Sequence, residues 1–304
     1  MATNPTIKIP FTNPLRFYTT GSSLEDIAVP FEATPNRLYC QKFTKSMFLN
    51  FQIHTLKDAI TSYSSDVLDI NGNVVMSNAG RTYGITGATY DYDVISARGL
   101  LSSSYDILAQ LNAGYYRLKF VFVHTDTGIS DVTIYSEFFE ICTSVSDMLL
   151  IRFGHSSNMY DTAFQMNTDL SDPQYFEYLV EGGVYSDGFS PVSKDTVYTD
   201  QINSVVTLKS IPYSTLKFTF GNSKGLPNWI AQLLNATFSC DTVYINNKEV
   251  RKNDGAKLER IGTERYPYAV WTLETILPDV EFSDVYGTTL KLGDFNNDFN
   301  NDFL

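Results

Sequence analysis

Two periods of apolar residues run along this chain, and each predicts a different element. In Tyr115 to His124, YYRLKFVFVH, residues Tyr116, Leu118, Phe120 and Phe122 alternate with Tyr115, Arg117, Lys119 and Val121, which predicts a strand with one apolar face. Trp229, Ile230, Leu233, Leu234 and Phe238 instead recur at helical spacing, and that stripe must face a core. Pro227 suits the first turn of this helix, because its missing N–H would have no partner there and its fixed φ is already helical. Before the helix, the strand-like run Leu216 to Phe220 breaks at Gly221-Asn222-Ser223-Lys224-Gly225. After it, Cys240-Asp241 marks the end, and Thr242 to Val250 reads as a tight hairpin about Asn246-Asn247, a pair that tolerates positive φ. Together these predict one packing unit, a sheet with a single helix laid on it.

The rest of the chain is patterned as strands and turns. Residues 1–36, rich in Pro, Asn and Thr, hold apolar patches too brief for a core and read as an extended arm that docks elsewhere. Residues 37–143 read as a β-sandwich module of about seven strands with turn signals every ~8–12 residues. Its clearest local signal is Val67 to Met76, VLDINGNVVM, a hairpin turning at Asn71-Gly72. Ser77 to Asp93 reads as a long loop or irregular strand pair, Tyr105 to Leu111 as one or two helical turns, and Val132 to Ile141 as a returning strand. Residues 144–280 form a second β-rich module carrying the one amphipathic helix. In it, Tyr175 to Val180 is a strand ending at Gly182-Gly183, and Gly188 to Pro191 is a turn. Thr196 to Leu208 can pair with Leu216 to Phe220, and Arg265 to Leu277 is a largely buried closing strand. Residues 281–304 are an acidic, aromatic tail.

Composition supports the mainly β assignment: 20 Tyr and 21 Phe against two Trp favour strands over helices. A net charge of −12 repels phosphate, so direct nucleic-acid binding is not expected. The basic run Lys248 to Lys252 reads as a solvated strand end. Cys40, Cys142 and Cys240 are odd in number and widely spaced, which fits reduced, mostly buried thiols rather than a disulfide scaffold or zinc site. The start MATNPTIKIPF has no basic, apolar leader, and no apolar run approaches the ~18 residues of a membrane span, so a soluble chain is expected.

Candidate chemistry is sparse. His54, His124 and His155 show no metal-binding spacing and read as structural residues at or beside strand ends. No nucleophile elbow or phosphate loop occurs. Acid pairs such as Asp91 and Asp93 say little without geometry. Tyr63, Tyr83, Tyr90 and Tyr92 could form a sugar platform, but cross-strand packing explains them as well. Asn235-Ala236-Thr237 is a glycosylation sequon lying inside the predicted helix. In GDFNNDFNNDFL, Gly293 to Leu304, the calcium-loop match D-x-N-x-D fails at Phe299, where glycine is needed, and the chain stops before the last ligand. The tail has two physical readings. One is a docking peptide in which Phe295, Phe299 and Phe303 share one helical face while Asp294, Asp298 and Asp302 keep it soluble; the other is a plain solvated tail.

The second module carries a series of phrases: IRFGHSSN from Ile151, YLVEGGVYSDGFSP from Tyr178, DTVYTDQ from Asp195, LKFTFGNSKGLPNWIAQLLN from Leu216 and SCDTVYINNKEV from Ser239. The series resembles virion proteins of tailed phages that infect Bacteroidetes, the crAss-like phages among them. The first module, ending in GYYRLKF and YSEFFEIC, is similar to their companion domain. The resemblance covers most of Arg37 to Pro278 and leaves out the arm and the tail. It implies a non-enzymatic structural subunit, made in the host cytoplasm and located in the virion. There it would assemble with its own copies and other virion proteins into a neck or tail ring, the head–tail connector, with no catalytic residue, cofactor, metal or membrane contact. The runner-up is a carbohydrate-binding or adhesin module, which the Tyr and Phe content permits; a hydrolase comes third.

The tail yields the first prediction. Each of its three Phe rings could bury at most ~1.5–3 kcal/mol of surface against a neighbour, and alone it would not recover its ordering entropy. Deleting Gly293 to Leu304 is expected to leave the melting temperature of the subunit nearly unchanged while weakening attachment to its neighbour. Unfolding of the deletion variant would place the tail in its own core.

Overall fold

A computed structural model describes residues 7–9, 13–19, 39–47, 49, 51–56, 58–77, 84–88, 92–96, 107–154, 175–199, 201–221, 225–261, 268–277, 282–283 and 289–290. The protein is mainly β and β-sandwich-like, with one amphipathic helix of ten residues.

The arm supplies β1 (Ile7–Lys8) and β2 (Phe17–Thr19), followed by β3 (Gln41–Phe43), β4 (Gln52–Leu56), β5 (Ile60–Asp69), β6 (Val74–Ser77), β7 (Gly84–Ala88) and β8 (Tyr92–Ser96). A single helical turn, α1 (Ile107–Gln110), precedes β9 (Gly114–His124), β10 (Val132–Ser136) and β11 (Phe139–Ile141). The strands β1, β4, β8 and β7 form a small antiparallel sheet. In the larger sheet β9 is flanked by β5 on one edge and by β10 and β11 on the other. The alternation read from the sequence holds: Leu118, Phe120 and Phe122 are buried. Phe120 meets Phe51 at 5.5 Å and Phe17 at 6.1 Å between ring centroids, so an arm residue on β2 and the residue just before β4 pack together against β9.

Three local expectations are corrected. The β5–β6 hairpin does not use a two-residue Asn-Gly turn. The Gly72 amide donates to the Asp69 carbonyl, and the Asp69 side chain accepts the amides of Asn71 and Asn73. Gly72 alone is left-handed, at φ 85°, so this is a type I turn closed by a glycine bulge, selected by the aspartate. Second, Val132 to Ile141 is two strands interrupted at Glu137 and Phe138. Third, the arm docks on its own chain. Leu15 is fully buried and β2 pairs with β10, because the free edge of β10 offered backbone partners beside an apolar site.

The second half contains β12 (Met148–Gly154), β13 (Phe176–Thr199), β14 (Val205–Phe220), β15 (Leu226–Pro227), α2 (Asn228–Thr237), β16 (Thr242–Ile245), β17 (Lys248–Glu249), β18 (Arg251–Lys252), β19 (Glu259–Ile261) and β20 (Tyr268–Leu277); a short pair, β21 (Phe282–Ser283) and β22 (Thr289–Leu290), follows. The sheet runs β12, β13, β14, β20 through antiparallel pairs. On α2, Trp229, Ile230, Leu233 and Leu234 are buried as the periodicity requires, and so is Phe238 just beyond it. The Tyr178 hydroxyl of β13 and the Thr237 hydroxyl lie 3.0 Å apart in a buried hydrogen bond that ties the helix to the sheet. Pro227 caps α2 from outside its first turn, at φ −70° and ψ 157°, because pairing of β15 with β20 holds it extended. The hairpin after the helix turns at Asn246 and Asn247, both with positive φ, as expected.

The halves share one sheet path and one contiguous cluster of buried residues. Strand β3 lies between them, parallel to β11 and paired with β13 at Lys42 and Leu179. The Gln41 side chain donates to the Leu179 carbonyl at 2.8 Å, and Lys42 pairs with Glu181 at 2.8 Å. The strand break at Glu137 lies at the same junction. The buried Glu137 carboxylate accepts from the Arg16 amide at 3.2 Å and from Arg16 Nε at 3.1 Å. The Arg16 guanidinium sits 4.1 Å from the centre of the Trp229 ring, which also makes a T-shaped contact with Tyr39 at 5.7 Å.

Two predictions follow from this packing. Leu233→Ala, at a site that is 2% exposed, is expected to cost ~2–5 kcal/mol, read as a lowered denaturation midpoint. Burial pushes the Glu137 carboxyl up to about 7 from an ordinary 4.5, with Arg16 pulling it back only in part. The folded state therefore binds the extra proton, so this group's stabilising contribution is full at low pH and is lost as pH rises through about 7. Glu137→Gln should flatten the fall in urea midpoint between about pH 5 and about pH 7.5; an identical pH profile in both proteins would refute the burial argument.

Candidate functional site

The strands β13 and β14 run far past the sheet that holds them. Gly182 permits the departure, since a Cβ there would collide with the Thr219 carbonyl oxygen. Between Val184 and Phe189 the register shifts, with four residues standing opposite Lys217. Beyond this wide bulge the strands pair again from Phe189 with Leu216 to Thr199 with Val205. The last residue of β14 that pairs with β20 is Ser214. Among the described residues, Pro191 to Tyr213 therefore projects as a two-stranded ribbon with no third strand on either outer edge. Nine residues at ~3.3 Å per residue make it roughly 30 Å long.

Every described residue from Phe189 to Pro212 is exposed, yet many are apolar: Ile202 is 85% exposed, Leu208 64% and Val205 63%. Strand alternation sorts them into two faces. One face carries Val192 opposite Tyr213, Lys194 opposite Ile211, Thr196 opposite Lys209 and, past a bulge at Leu208, Tyr198 opposite Val206. The other carries Ser193 opposite Pro212, Asp195 opposite Ser210, Val197 opposite Thr207 and Thr199 opposite Val205. On that second face Asp195 accepts from the hydroxyls of Ser193 and Ser210. One face is thus apolar with two lysines, and the other is rich in hydroxyls.

An isolated two-stranded ribbon is marginally stable in water, and a contiguous exposed apolar surface marks an interaction site. Pro191, Pro212 and the two lysines are edge-guarding residues that discourage indiscriminate strand pairing. The ribbon can bury apolar surface and offer backbone groups to a partner.

Other sequence candidates are placed as follows. Among the described residues no group of three or more His, Cys, Asp or Glu is placed to hold a metal ion, and no helix is long and apolar enough to cross a membrane. The three thiols are free and half-buried rather than mostly buried. Burial raises Cys40 and Cys142 to about 11 and Cys240 to about 12, which keeps them protonated and poor nucleophiles. Cys240 lines a depression of about 400 Å³ with Asp241, Arg251 and Lys252. His54 is buried within β4 rather than at its end, and buried His124 ends β9 with no hydrogen-bond partner for its Nε2. Tyr63 packs on its cross-strand neighbour Phe122 at 6.1 Å, while the side chains of Tyr83, Tyr90, Tyr92, Asp91, Asp93 and His155 lie outside the described residues. So do Phe295, Phe299, Phe303, Asp294, Asp298 and Asp302. In the sequon, Asn235 is exposed on α2 and Thr237 is buried.

The ribbon overturns three expectations. Gly182-Gly183 does not end a strand, Gly188 to Pro191 is not a turn, and Thr196 to Leu208 straddles the ribbon tip instead of pairing with Leu216 to Phe220. Glycine and proline signal breaks in a compact fold, but here they sit at a bulge and at open edges, where strands tolerate them. The available signal was the polar and β-branched run on both sides of Asp200 to Ser204, with Asn203 left-handed at φ 60°.

No family model, curated protein or solved structure matches the chain.

Because Leu208 is 64% exposed, Leu208→Ser should change stability by less than about 0.5 kcal/mol. A large drop in denaturation midpoint would make Leu208 a core residue and remove the ribbon as a free surface.

Proposed function

We propose that this protein is a non-enzymatic structural subunit of a tailed-phage virion, assembled with its own copies and other virion proteins into a neck or tail ring. The observation that carries the reading is the projecting ribbon. A chain that keeps ten large apolar side chains exposed between Val184 and Ile211 loses hydrophobic stabilisation unless a neighbour covers them. An arm extending past its own core reaches an adjacent subunit, and head-to-tail contacts of that kind close into rings when the rotation between subunits allows. The phrase resemblance of the second module supports the same reading: its phrase YLVEGGVYSDGFSP lies in the strand that becomes the ribbon, and DTVYTDQ begins in that strand and runs past its end.

The test is assembly. Electron microscopy of the full chain, alone or in its particle, is expected to show symmetric rings. A variant with Pro191 to Tyr213 replaced by a short turn should melt like the wild type yet fail to close them. A chain monomeric both in solution and in its native complex would overturn the proposal, and glycan binding by that monomer would favour the adhesin reading.

A further inference from the structure

The lysine-bearing face of the ribbon has a complement in the chain itself. Its charges are Lys194 and Lys209, in adjacent cross-strand layers, in a molecule whose net charge is −12. Among the described residues neither lysine makes an ion pair. Around them lie Val192, Tyr198, Val206, Ile211 and Tyr213, all but the last exposed. A ligand for this face needs apolar rings and carboxylates alternating at short, regular spacing.

The segment Gly293 to Leu304 has that composition: Phe295, Phe299 and Phe303 each follow an aspartate, Asp294, Asp298 and Asp302, and there is no basic residue. At ~1.5 Å per residue, aspartates four apart in a helical turn are spaced ~6 Å. The two lysine layers, two residues apart on a strand, are spaced ~7 Å. In such a turn the Asp and Phe stripes run side by side, so both meet one surface. We propose that the C-terminal segment of one copy docks on the Lys194/Lys209 face of the ribbon of a second copy, Phe rings on the apolar side chains and aspartates on the lysines. This rests on the ring reading, because it makes the tail the occupant of the surface that the ring must cover.

The experiment uses the full chain with a photo-crosslinking residue in place of Phe299, as a mixture of isotopically heavy and light copies, with cross-links mapped by mass spectrometry. Heavy–light cross-links are expected between the tail and residues 189–213. The variant K194E/K209E should cut their yield by about tenfold or more, and adding D294K/D298K to that variant should restore it. Cross-links confined to one copy, cross-links elsewhere on the chain, or a yield indifferent to both charge changes would each overturn the proposal. Rings that form with such cross-links elsewhere leave the ring reading standing, whereas a chain that never assembles defeats that reading as well.

Discussion

The bonds of Glu137 to Arg16 hold the structure's parts at one point. A carboxylate this deep costs free energy unless it is paired and hydrogen-bonded, and Arg16 supplies both a backbone amide and Nε. The pair fixes the arm where Leu15 and Phe17 fill the first core. The guanidinium then covers the face of Trp229 on α2. Removing the Arg16 side chain would leave the buried Glu137 carboxyl without its guanidinium partner at the meeting place of arm, sheet and helix. The strand break between β10 and β11 is the backbone consequence: two residues leave the ladder there so that one can turn its acid inward.

Around that point the insertion of β3 makes a continuous sheet of what the sequence presents as two modules. Parallel pairing with β11 and a single antiparallel bridge to β13 would be weak alone. Gln41 and Lys42 reinforce it with side-chain bonds to Leu179 and Glu181 on β13. Strain or movement in one half is therefore transmitted to the other through packed strands rather than through a linker.

The ribbon obeys the opposite economy. The core buries its aromatics in close ring contacts, while the ribbon leaves valine, isoleucine, leucine and tyrosine in water, with hydroxyl–carboxylate bonds from Asp195 on one of its faces. Such a surface is stable as part of this chain because its base is welded into β14 and β20, and it gains from being covered. Its lysines and prolines restrict what can cover it, which is specificity obtained by excluding wrong partners.

Periodicity alone determined the elements whose partners lie nearby in sequence. The β9 alternation, the α2 stripe, the Asn246-Asn247 turn and the mainly β class depend on local geometry and on which side chains avoid water, and both are written residue by residue. What only the tertiary structure decided involves residues distant in sequence. Arg16 meets Glu137 across 121 positions, and β3 bridges the halves. Asp69 converts an apparent Asn-Gly turn into a bulged type I turn by accepting amides that composition does not display. The candidate site was hidden for the same reason: Gly182, Gly188 and Pro191 are breakers in a compact sheet but compatible with a strand that leaves it. Where the strand leaves its sheet follows from long-range pairing, whose last described pair joins Ser214 to Leu277 of β20, 63 positions away.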